Sequence, residues 1–82
     1  MSDETLYDFE VVTSDHNGPM HKRTEEDRYE ADSIFVREVQ RVMETDYTNE
    51  VSVALIATAE RPEYEEWVTL AEFTKTPIKE IH

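Results

Sequence analysis

Apolar and polar residues alternate at the start of the chain. From Leu6 to Thr13, Tyr7, Phe9 and Val11 project to one side, and Asp8, Glu10 and Val12 to the other. A period of two is that of a half-buried strand. Asp15-His16-Asn17-Gly18-Pro19 follows. Asn-Gly is a strong hairpin signal because both residue types tolerate positive φ, and Pro19, which lacks an amide donor, points to a slightly longer loop. The returning arm, His21 to Ala31, reads as a polar second strand or as a helix starting at Thr24, with Asp27 completing a weak capping box. Running the downstream helix backwards puts Arg28 in the middle of its apolar face. The strand reading is therefore preferred: it ends near Ala31, with Asp32 or Ser33 as N-cap.

From Ser33 to Thr45 the period changes to that of a helix. Phe35, Val36, Val39, Val42 and Met43 fall in one arc, with Arg37, Arg41 and Glu44 opposite. Asp46-Tyr47-Thr48-Asn49 ends it, with Asn49 suited to a left-handed conformation. Val51 to Glu60 alternates again, with Val51, Val53, Leu55, Ala57 and Ala59 on one face and Ser52, Ile56 and Thr58 on the other. Glu60-Arg61-Pro62-Glu63 predicts a turn. Glu66 to Thr76 is a last strand, stopped by Pro77, and Ile78 to His82 form a short tail.

The order is β-β-α-β-β. It predicts an α+β fold, a small antiparallel sheet packed on one helix, as a single domain over residues 1–82. One helix covers one sheet face. The last two strands nevertheless place Ile56, Val68 and Leu70 on one side and Leu55, Trp67 and Phe73 on the other. A partner protein, a second copy of the chain forming a homodimer, or the folded-back tail is needed to cover the second face.

Charge changes this picture most. Twenty Asp and Glu against eight Lys and Arg give a formal net charge of −12. Such a field repels nucleic acid and anionic membranes and attracts basic protein surfaces. The 38% hydrophobic content and the periodic segments argue against disorder. With no cysteine, there is no disulfide, thiolate nucleophile or Cys-based zinc site. The acidic Met1-Ser2-Asp3-Glu4-Thr5 is unlike a signal peptide, and the longest aliphatic run, Val53 to Ala57, is far too short for a span. These features fit a cytoplasmic protein.

Motifs for catalysis or cofactors are missing. His16 and His21 flank the first turn and His82 ends the chain, in no metal-ligand spacing. Ser14-Asp15-His16 holds triad residue types, but adjacent residues on a turn do not converge as a triad must. The single glycine excludes a phosphate-cradling glycine loop. One helical layer leaves little cleft for paired carboxylates to work in. We expect no enzyme activity, no cofactor and no metal.

The acids themselves remain. Glu25, Glu26, Asp27, Glu30 and Asp32 form one cluster; Glu60, Glu63, Glu65 and Glu66 form another, beside Tyr64 and Trp67. On an extended strand, alternate residues lie about 7 Å apart on one face, roughly two rises of 3.4 Å along a nucleic-acid strand. Carboxylate rows of this kind would present a duplex-like pattern to a basic, nucleic-acid-binding protein. In size and charge the chain resembles the broad class of small bacteriophage-encoded inhibitors and anti-CRISPR proteins, although no motif marks a family. The expected function is that of an acidic protein-binding module, with these two clusters, Tyr64 and Trp67 as its contact residues. The alternative is a small structural or housekeeping domain whose acidity serves solubility or life in salt. Only three lysines suit the salt reading, while fourteen Glu against six Asp do not.

Overall fold

The computed structural model describes residues 7–60 and 63–77. Strands β1 (Asp8–Asp15) and β2 (Gly18–Glu25) form a hairpin, helix α1 (Arg28–Glu44) follows, and β3 (Val51–Glu60) and β4 (Glu65–Lys75) form a second hairpin. All pairings are antiparallel, in the order β2-β1-β3-β4. The α+β fold is the one the periodicities predict. Among the described residues no helix is long and apolar enough to cross a membrane. Leu6, Arg61-Pro62 of the second turn, and the tail Ile78–His82 lie outside the described residues.

The core follows from alternation. Val51, Val53, Leu55, Ala57 and Ala59 are all buried on the helix side of β3, joined by Val11 of β1. Ala31 and Val42 of α1 pack onto them, with Phe9, Ile34, Phe35, Val39, Tyr47, Ala71 and Phe73 closing the periphery. Eleven residues make just over three helical turns, so Ala31 and Val42 share one azimuth and mark the centre of the buried arc. Val36 and Met43, predicted to belong to that arc, are 62% and 59% exposed on its flank. The arc is rotated because Ala31 and Ile34 belong to it.

The helix starts earlier than predicted. β2 ends at Glu25 rather than near Ala31, and the N-cap is Asp27 instead of Asp32 or Ser33. The Asp27 carboxylate accepts the Tyr29 amide at 3.0 Å, satisfying one of the donors that a helix start leaves free. Arg28 does face the apolar side, and Phe9 makes this tolerable. The guanidinium lies 5.9 Å from the ring centroid while Asp32 accepts from its Nε at 3.2 Å. At the other end no non-glycine residue among those described has positive φ, so Asn49 does not cap the helix. Lys75 of β4 does: its ammonium donates to the carbonyls of Val42 (3.3 Å), Met43 (3.0 Å) and Thr45 (2.7 Å). A cation at this end also complements the helix dipole.

Three local features set the sheet. In the first turn Asp15 pairs with Gly18, leaving His16-Asn17 as the loop. Only Gly18 takes positive φ (113°), and the Asp15 carboxylate accepts the Asn17 amide at 2.8 Å. The loop is not lengthened by Pro19, which is accommodated within β2 as an edge-strand residue. A register shift between Thr13 and Ser14 leaves Met20 as an extra residue in β2. A second shift, between Leu55 and Ile56, leaves Leu70 extra in β4. A bulge of this type reverses the side-chain alternation beyond it.

Candidate protein-binding face

The bulge at Leu70 decides where Trp67 points. Before it, Ala71 and Phe73 face the helix, opposite Leu55 and Val53. Past it, Val68 pairs with buried Ala57, and Trp67 pairs with Thr58. Trp67 therefore lies on the open face with Ile56, and Val68 on the helix side with Leu55 and Phe73. This corrects the predicted assignment, which placed Trp67 with Leu55 and Phe73, and Val68 with Ile56. Simple alternation cannot anticipate one extra residue.

The register brings further side chains to the open face. Asp8 lies across from Thr58, which is across from Trp67. Glu10 lies opposite Ile56, and Val12 opposite Ala54, which pairs with Glu72. Beyond them Ser52 and Thr74 share a hydroxyl hydrogen bond of 3.0 Å. At the far edge Lys22 reaches Glu10 at 3.0 Å. The result is a shallow apolar strip, formed by Val12, Ala54, Ile56 and Leu70, leading to a Trp67 side chain that is 62% exposed. Asp8, Glu10, Glu65 and Glu72 stand around it. Asp8 and Glu10 are alternate residues of one strand, about 7 Å apart. Sequence reasoning left out Asp8, Glu10 and Glu72. The signal for Asp8 and Glu10 was the alternation in β1, which already set them and Val12 apart from the core; Glu72 joins them through the β3–β4 register.

The two acidic clusters come out differently. Asp27 caps α1, Glu30 sits in its first turn, Asp32 pairs with Arg28, and Glu25 accepts from Arg23 Nε at 3.2 Å. Glu26 is exposed in the link. Because residues 28–32 are helical, this cluster does not form the extended carboxylate row predicted for it. In the second cluster, Glu63 and Tyr64 are exposed before β4, and Glu60 pairs with Glu65 through the backbone. Glu65 shares the Trp67 face. Glu66 turns to the helix side, where its carboxylate accepts from Tyr7 Oη at 3.4 Å.

Of the histidines, His16 is at the tip of the first turn and His21 on the helix-facing side of β2. Among the described residues no cluster of three or more His, Asp or Glu is placed to hold a metal. α1 packs chiefly on β1 and β3 and leaves a half-open cavity of about 330 Å³ beside β2, in which Glu38 is the one carboxylate among the described residues. No family model matches the chain, and neither a curated protein nor a solved structure does.

Proposed function

We propose that this chain is an acidic protein-binding module that occupies a basic, nucleic-acid-binding surface of another protein, as a DNA mimic or a phage-type inhibitor would. The observation that carries the reading is the exposed Trp67 on a sheet face that no described element covers, set among carboxylates and an apolar strip. Aromatic side chains are the usual energetic centre of an interface. The surrounding acids steer encounter and set salt dependence more than they add affinity. A second copy is the poorer occupant, because Asp8, Glu10, Glu65 and Glu72 would meet their own counterparts. A basic surface complements them.

The test is capture from the source cell at low salt, followed by measurement with the purified partner. Bound partner should be displaced by duplex DNA or by RNA, and Kd should rise steeply with salt. Trp67→Ala should weaken binding by about thirtyfold, the scale of a hot-spot side chain at about 2 kcal/mol. Since Trp67 is largely solvent-facing, the same change should alter stability by no more than about 0.5 kcal/mol. An affinity equal at low and high salt would sink this reading, as would a partner indifferent to nucleic acid.

A further inference from the structure

The cavity beside β2 lies on the helix side of the sheet, away from the Trp67 face. Its floor is apolar, with buried Val11 and half-buried Ile34, together with the Thr13 hydroxyl. Its walls are cationic. Arg23, Arg37 and Arg41 line it with His21, so three of the five arginines of the chain gather here. Lys22 also borders it but sends its ammonium to Glu10. Among the described residues only one carboxylate, Glu38, is in the lining. In a chain of net charge −12 this is the reverse of the average surface.

Glu38 does not neutralise the site. Its carboxylate is engaged by Thr13 Oγ1 at 2.9 Å and by Arg41, whose Nε donates at 3.1 and 3.2 Å. Arg41 also donates to Tyr47 Oη at 3.2 Å, which fixes it in place. The Arg23–Glu25 pair is largely solvent-exposed at the arginine, a contact weak enough to exchange for a better acceptor. Among the described residues the Arg37 guanidinium has neither a hydrogen bond nor an ion pair, and the His21 ring has no hydrogen bond, though it lies within the electrostatic reach of Glu38. The cavity thus offers unspent donors above an apolar floor.

We propose that the cavity between β2 and α1 binds a small organic oxyanion, a phosphomonoester or carboxylate on a compact apolar body, held by Arg37 with His21 and Arg23. Arginine suits this role because its planar fork binds two oxygens of a phosphate or carboxylate at once. A volume of about 330 Å³ is at the small end of ligand sites, which span about 300–1,000 Å³. A polyanion is excluded by the overall field, whose repulsion grows with each added charge, whereas a ligand of one or two charges feels mainly the local arginines.

The experiment is a titration of the isotope-labelled full chain, followed by amide NMR at constant ionic strength. Phenyl phosphate and benzoate are used in separate arms to tell the two oxyanions apart, with inorganic phosphate as the reference. Saturable shifts confined to Arg23, Ile34, Arg37 and their neighbours, with at least one aromatic probe, are expected. Arg37→Gln, an exposed and fold-neutral change, should weaken binding about tenfold or more. Arg28→Gln, a cation outside the cavity, should not. The proposal is overturned by shifts that stay linear with both aromatic probes, or by equal losses in the two variants. Inorganic phosphate binding as tightly as phenyl phosphate would remove the apolar floor from the site.

Discussion

Glu38 lies toward the buried side of α1, where an unligated carboxylate would be costly. Arg41 and Thr13 ligate it, and no buried side-chain polar atom among the described residues lacks a partner. The hydrogen bond from Arg41 holds the Glu38 carboxyl below its ordinary value of 4.5, against a desolvation that pushes it up. Arg41 is held above the usual arginine value by the same bond and stays charged. A depressed folded value means stabilisation that is fully present above pH 4.5 and lost as pH falls through the folded value. In Glu38→Gln that part of the acid dependence is missing. Urea denaturation should find the variant less stable than wild type at neutral pH, with a gap that narrows in acid. A gap that does not move with pH would show that Glu38 acts by packing alone.

At the scale of elements, what the sequence made legible depends on how many segments a feature needs. β3 matches its predicted bounds and buried face because alternation within one segment defines both. The helix start was misplaced because the ring that accommodates Arg28 belongs to Phe9, on another strand. Trp67 stood out in the sequence beside the second acidic cluster, but its face was not legible. One extra residue at Leu70 reverses it, and Leu70 fits a regular strand as well as a bulge. Asp8, Glu10 and Glu72 join the site only through the register across β1, β3 and β4. The C-terminus of α1 is likewise tertiary, since Lys75 arrives from the last strand. Lys75→Met should keep most of the stem packing and lose the three carbonyl contacts, at a cost of about 1–3 kcal/mol by urea denaturation. A change below about 0.5 kcal/mol would mean that water replaces the ammonium without penalty.

Across the whole molecule, charge is sorted by place. The helix start uses acids as cap, first-turn residue and ion-pair partner; the open face displays them; the cavity beside β2 has only Glu38 among the described residues. Self-repulsion at −12 should still be measurable. Raising salt from about 10 mM to about 150 mM shortens the Debye length from about 30 Å to about 8 Å. We expect Tm to rise over that range and then level off. A Tm that keeps climbing into molar salt would instead favour adaptation to a saline cell as the origin of the acids. The two bulges have a separate consequence. Both lie in outer strands, while the central β1–β3 pairing runs without a break. A strand from a neighbouring molecule needs a straight rim on which to extend the ladder. It meets Pro19 and the kink at Met20 along one rim, and the kink at Leu70 along the other. Both rims therefore resist polymer growth, so the apolar strip and Trp67 can stay exposed without seeding fibres.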